Sequence, residues 1–198
     1  MVSYRLMSEI KVMAFVGMPG SGKGTCTDYL SRHYGFPVIH FGNMLYEEMQ
    51  ARGLDNIRDE GWFRVKIRDD EGPAVLARLA SKKARESLEN GSEKVVLDGL
   101  YSWSEYKYLE QEFGEGLTLI AVSAPRRLRY GRILNRRDPH RKYNSASQIR
   151  DREIQEIEDI EKGGPIAFAD YTVVNDGSRE KLFKEIDKIM AEIGSEPA

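Results

Sequence analysis

The chain has 198 residues, 40% of them hydrophobic, and a formal net charge of −2, which suits one α/β domain with a sizeable core and speaks against general attraction to nucleic acid or membrane. Its single cysteine, Cys26, rules out an intramolecular disulfide, and together with three histidines it makes no metal-ligand spacing, so a reducing, cytoplasmic setting is expected. Residues 1 to 9 have no apolar stretch of signal-peptide length, and no segment approaches a membrane span.

In chain order, Val12-Met13-Ala14-Phe15-Val16 is too short for a helix and suits a buried parallel strand. Gly17 to Thr25 follows as a glycine-rich loop, and Thr25 to Tyr34 reads as a helix. Residues 36 to 41 read as a second strand, with Pro37 tolerated only at its start. Helices are expected from Met44 to Ala51, from about Ile57 to Asp69, and from Pro73 to Glu89, the last closed by Asn90-Gly91. With no strand between them, residues 42–91 read as a helical insertion over the carboxyl edge of the sheet. Val95 to Asp98 is a strand ending in a carboxylate. A helix from about Ser104 to Glu112 and a strand from Leu117 to Val122 come next. Pro125 opens an arginine-rich helix to about Asn135, which breaks at Asp138-Pro139. A polar helix over Ser147 to about Glu161, a strand over Tyr171 to Val174 and a helix over Ser178 to Ile193 complete the chain. Five strands alternating with helices predict a three-layer α/β/α fold on a five-stranded parallel sheet, its site at the carboxyl ends of the strands. A short lid is expected over 136–147, the whole making one domain over 1–198.

The chemistry gathers at the loop. In Gly17-Met18-Pro19-Gly20-Ser21-Gly22-Lys23-Gly24-Thr25 the glycines let the backbone wrap anionic oxygens. The helix N-terminus adds positive potential and Lys23 a full charge. Gly17 and Gly22 have phosphate-loop spacing, except that Gly24 stands where Ser or Thr usually follows Lys and Thr25 takes the next place. The pattern is not Gly-x-Gly-x-x-Gly, which disfavours a dinucleotide site. Asp98, at a strand end beside the loop, is a candidate Mg²⁺ ligand. Arg126 to Arg152 holds ten Lys and Arg against two Asp, a local cationic surface. There Arg129, Arg132, Arg136 and Arg137 fall at helical spacing, fit for charge stabilisation in a mobile lid, for a solvated face or for RNA contact. Tyr101, Trp103, Tyr106 and Tyr108 are compatible with base stacking or with core packing.

The loop Gly17 to Thr25, with its Gly-Thr ending, resembles that of adenylate kinase and its nucleoside monophosphate kinase relatives. The spacing Arg132-Ile-Leu-Asn-Arg136-Arg137 is similar to the arginines entering that family's lid, and Asn144 and Arg152 fall where the family has a lid Asp and a returning Arg. The resemblance implies ATP and Mg²⁺ as cofactors. Gly17, Pro19, Gly20, Ser21, Gly22, Lys23, Gly24, Thr25, Arg132 and Arg136 would bind nucleotide. Lys23, Arg132, Arg136 and Asp98 would act in catalysis, and Asp98 and Thr25 would hold the metal. Two departures stand out. Tyr46 replaces the family's monophosphate-binding Arg, and the Asp-Gly-x-Pro-Arg signature appears as Asp98-Gly99-Leu100-Tyr101-Ser102. Arg64 and Arg68, or Arg52 and Arg58, are the candidate replacements. The stretch Ala169 to Ser178 resembles dephospho-coenzyme A kinases and archaeal adenylate-kinase-like proteins, and Glu71-Gly72-Pro73-Ala74 the latter. The expected activity is transfer of the ATP γ-phosphate to a nucleotide, a monophosphate first. A dephospho-coenzyme A-type or other small-metabolite acceptor is the alternative, and an ATP-dependent switch or RNA- or protein-binding module with weak ATPase activity stands outside the kinase class. Oligomeric state is left open.

Overall fold

The computed structural model describes residues 10–55, 58–136 and 143–197. Its strands are β1 (Val12–Val16), β2 (Val38–His40), β3 (Val95–Asp98), β4 (Leu117–Ser123) and β5 (Tyr171–Val174). They pair in the order β2-β3-β1-β4-β5, every pair parallel. The helices are α1 (Lys23–Tyr34), α2 (Phe41–Ala51), α3 (Glu60–Glu71), α4 (Val75–Glu89), α5 (Trp103–Phe113), α6 (Arg126–Leu134), α7 (Ala146–Glu158), α8 (Gly163–Ala167) and α9 (Arg179–Glu192).

Every residue of β1 is buried, because helices cover both faces of the sheet. Alternation sends Val12, Ala14 and Val16 to one face, where Met44 and Leu45 of α2, Phe63 and Ile67 of α3, Leu76 of α4 and Leu109 of α5 complete a core. Met13 and Phe15 point to the other face, against Leu30 of α1 and Leu182, Ile186 and Met190 of α9. The i, i+4, i+8 stripe on α9 is what fixes that helix, each such side chain contributing about 1.5–3 kcal/mol on burial. Its start is set by Ser178, whose Oγ accepts the Lys181 N–H.

Several boundaries shift from the sequence reading, α3 beginning at Glu60 and α4 at Val75 among them, with the expected start at Ile57 outside the described residues, and three shifts bear on the site. Helix α1 begins at Lys23, two residues early, because Gly22 adopts a left-handed conformation and turns the chain straight into the helix. Helix α2 begins at Phe41 directly after β2, with Gly42 buried in its first turn rather than breaking the chain. The polar helix ends at Glu158, and a separate short helix, α8, follows. Glu161, with φ of 56°, reverses the chain, and the Lys162 N–H returns to the Glu156 carbonyl at 3.0 Å. In the aromatic cluster after Asp98, Trp103 stacks on Tyr106 with centroids 5.1 Å apart and Phe168 meets both edge-on, while Tyr101 lines the cleft described below.

Sheet order places the site. Strand β1 lies between β3 and β4, so the loop leaving β1 opens beside the end of β3. Phe15 pairs with Asp98, and the Phe15 carbonyl accepts from the Gly99 and Leu100 N–H groups at 3.2 and 3.1 Å. Among the described residues no helix is long and apolar enough to cross a membrane.

Candidate active site at the glycine loop

The loop between β1 and α1 is closed around its own backbone. At Gly22 φ is 107°, and a Cβ there would meet Asn175 Nδ2 at 2.1 Å; at Gly20 φ is 77°, and a Cβ would meet the Arg129 carbonyl oxygen at 2.6 Å. Only glycine fits both the torsion and the space. Lys23 and Gly24 open α1, where N–H groups have no partner within the helix and face whatever the loop encloses. The Lys23 ammonium donates to the Gly17 carbonyl at 2.7 Å and to Met18 at 3.4 Å. Burial, with the neighbouring charge of Lys162, brings its pKa down to about 7. An anion in the loop would reverse that shift.

Two arginines of α6 brace the loop from outside. Arg132 donates to the Gly20 and Ser21 carbonyls, both at 3.4 Å, and to the Asn175 backbone and side-chain oxygens at 3.1 and 3.2 Å. Asn175 in turn donates to the Ser21 carbonyl at 2.8 Å. Arg129 is buried, donating to Ala124 at 3.1 Å and Pro19 at 3.2 Å while pairing with Glu153 of α7.

A cleft opens in front of the loop. Pro19, Gly20, Gly22, Lys23 and Gly24 line it together with Asp98, Arg136, Arg152, Glu156 and Lys162. Asp98 Oδ2 accepts from or shares a proton with His40 Nδ1 at 2.9 Å, which ties the ends of β2 and β3. Glu156 is fully buried among Arg64 at 2.8 Å, Arg152 at 3.0 Å and Lys162 at 2.7 Å. Burial alone would raise its pKa, but Lys162, Arg152 and Arg64 hold it far below the carboxylate range. For Lys162 burial outweighs Glu156 and the pKa is lowered. For Arg152 burial opposes the charge, yet Glu60 and Glu156 hold its pKa well above the usual value.

The expected site residues thus fall in two neighbouring hollows and on the far side of the loop. Lys23, Asp98, Pro19, Gly20, Gly22 and Gly24 line the cleft. Thr25 and Arg132 line an adjoining recess with Asn175, Gly177 and Arg179, and Arg136 borders both. Gly17 and Ser21 form the far side of the loop, where Ser21 is fully buried. Residues 137–142, half of the expected lid over 136–147 and including Arg137 and Asp138-Pro139, lie outside the described residues.

The candidate acceptor arginines are all engaged elsewhere. Arg64 holds Glu156 and Gln155, and Arg68 holds Glu105 beneath Tyr101. Arg52 pairs with Glu48 and Glu71, and Arg58 with Asp59. Tyr46 packs against the core. Tyr101 is buried between Arg68, 5.5 Å from its ring, and Lys162, 4.8 Å away. Lys162 and Glu156 escaped the sequence reading. They sit in an ordinary polar helix and its turn, and only the reversal at Glu161 swings Lys162 into the cleft.

Comparison with known proteins agrees with this geometry. Residues 16–150 match the AAA domain family. The UPF0200 protein TK1334 of Thermococcus kodakarensis is 34% identical over 92% of this chain and 97% of its own length. The UPF0200/UPF0201 protein of Archaeoglobus fulgidus is 33% identical over 95% of this chain, which spans only 57% of that protein. Among solved structures, TT1252 from Thermus thermophilus superposes with a TM-score of 0.61 at 20% identity, covering 93% of this chain and 98% of that one. Shikimate kinase from Bacteroides thetaiotaomicron gives 0.58 at 12% identity, covering 91% and 97%. A gluconokinase from Sinorhizobium meliloti gives 0.57 at 14%, covering 94% and 92%. The fold is that of P-loop kinases, and by its sequence the chain belongs to the UPF0200 family, with the AAA domain family's match spanning its phosphate loop.

Proposed function

We propose that this protein is an ATP- and Mg²⁺-dependent phosphotransferase that moves the ATP γ-phosphoryl group onto a small acceptor, a nucleoside monophosphate first among them. The observation that carries this reading is a desolvated Lys23 in a glycine cradle, sharing one cleft with Asp98 and Arg136. Phosphoryl transfer demands positioning and compensation of charge on the equatorial oxygens. Lys23 and the first N–H groups of α1 supply that charge on the donor side. Arg132, braced on Asn175, forms the wall of the recess suited to a base, and Arg136 bridges that recess and the cleft.

No group of three or more His, Cys, Asp or Glu side chains able to hold a metal occurs among the described residues. That fits Mg²⁺, which keeps few protein ligands and takes the rest from substrate phosphates and water. Asp98 would hold it from the cleft and Thr25 from the recess side, and the ion would offset phosphate charge.

The engagement of Arg52, Arg58, Arg64 and Arg68 with carboxylates speaks against a 5′-phosphate gripped by the insertion and keeps a second acceptor class in view, a hydroxyl compound of the dephospho-coenzyme A type. A panel of monophosphates and dephospho-coenzyme A, assayed for ADP formation above the ATPase blank, decides between them. Turnover unaffected by any metabolite, with salt-sensitive RNA binding, would replace the kinase by a nucleotide-dependent binding module. Within the kinase reading, Arg136→Ala should lower kcat about 10³-fold while ATP affinity falls much less. An unchanged kcat would remove Arg136 from the chemistry.

A further inference from the structure

The backbone of Ser21 is in use and its side chain is idle. The Ser21 N–H donates to the Met18 carbonyl at 3.1 Å, and the Ser21 carbonyl accepts from Asn175 Nδ2 at 2.8 Å and from Arg132 at 3.4 Å. The side chain is fully buried, closed to water, and among the described residues its Oγ has no hydrogen-bond partner. Burying a hydroxyl unpaired is unfavourable, and folded proteins seldom keep one without a use. Alanine would suit the loop better in this arrangement, so what the hydroxyl contributes belongs to another one.

Two features of the surroundings point to its partner. Behind the loop, on the side away from the cleft, lies a hollow of about 110 Å³, with Met18, Ser21, Val122, Ser123, Arg129 and Ile166 in its lining. Gly17 borders it too: a Cβ there would meet the Val122 carbonyl oxygen at 2.3 Å and Ser21 Oγ at 2.9 Å. The gap between hydroxyl and carbonyl therefore stays open because residue 17 has no side chain. From the front, the Lys23 ammonium donates to the Gly17 and Met18 carbonyls and holds the loop to itself. A phosphate draws the ammonium off these carbonyls and frees the stretch from Met18 to Ser21 to settle toward the hollow.

We infer that Ser21 is a positioning residue of the phosphate loop: its hydroxyl, unpaired in this arrangement, donates to the Val122 carbonyl once phosphate holds the loop. This rests on the nucleotide-binding half of the kinase reading. A bond made only in the phosphate-holding loop adds to affinity, because a ligand shifts a conformation by its differential free energy for the two states. It also ties the loop to the end of β4 at the moment the donor is in place.

The test is Ser21→Ala, followed by urea unfolding without nucleotide and by calorimetric titration of ADP. The variant should unfold at a urea midpoint about 0.5 M above wild type and bind ADP about tenfold more weakly. A merely structural hydroxyl would move both readouts the same way, so the opposite signs are the signature. A midpoint unchanged or lowered overturns the inference, because the hydroxyl is then paired without nucleotide. ADP affinity within about threefold of wild type also overturns it and leaves the kinase reading standing. Wild type that binds no ADP removes the kinase reading and the positioning role together.

Discussion

Lys23 shows how a residue's surroundings become a measurable property. Its ordinary pKa of 10.5 falls to about 7 because burial and Lys162 oppose its charge. The unfolded chain therefore holds this proton up to about pH 10.5 and the folded chain only to about 7. The destabilisation is complete below pH 7 and is relieved as pH rises between the two values. A phosphate in the loop restores the charge, so ADP binding at pH 8 should take up most of a proton, and at pH 6 almost none. Titrations in buffers of different ionisation enthalpy read this directly, and Lys23→Met should abolish the uptake. Gly22 makes a complementary prediction: Gly22→Ala places a Cβ 2.1 Å from Asn175 Nδ2 at a φ of 107°. It should cost about 1–3 kcal/mol of stability and about tenfold or more in ADP affinity; an alanine variant that binds like wild type would contradict the cradle. Both residues were legible in the sequence because a glycine loop before a lysine has a fixed spacing. Lys162 was not, since its place depends on a left-handed Glu161 that no local pattern announces.

At the scale of elements, the short strands Val12–Val16, Val95–Asp98 and Tyr171–Val174 were readable to the residue, because an apolar run too short for a helix leaves few alternatives. The helix starts at Lys23 and Phe41 were not, since one follows a left-handed Gly22 and the other runs on from β2 with no turn between, and neither leaves a capping side chain to read. Equally hidden was the pin between α6 and α7. Arg129 joins the phosphate loop at Pro19, the end of β4 at Ala124 and Glu153 of α7, where Tyr130 also donates to Glu153 at 3.0 Å. A periodic arginine row looks the same whether one member is buried or all are solvated. Breaking a buried pair leaves an uncompensated charge, so Arg129→Met should destabilise by about 3–5 kcal/mol in urea unfolding. A loss under about 1 kcal/mol, as for an exposed pair, would show that the pin is not structural.

At the scale of the whole molecule, strand order and register bring the glycine loop and Asp98 to one edge of the sheet, where Arg152 and Glu156 of α7 also line the cleft. The three-layer architecture and the glycine loop with Asp98 beside it were legible in the sequence because both rest on local patterns. The pairing of the insertion's arginines was not, because Arg52, Arg58, Arg64 and Arg68 look available in a sequence and are found paired only in three dimensions. The family and fold comparisons support the same division, reaching the P-loop kinase fold without reaching an acceptor. The most direct test of the account is to incubate the protein with Mg²⁺ and γ-labelled ATP across a panel of nucleoside monophosphates, dephospho-coenzyme A and small phosphorylated or carboxylated alcohols, and to follow the label. The account predicts label on one small acceptor, abolished by Lys23→Met; label released only as inorganic phosphate with every acceptor, or no turnover of ATP at all, would contradict it.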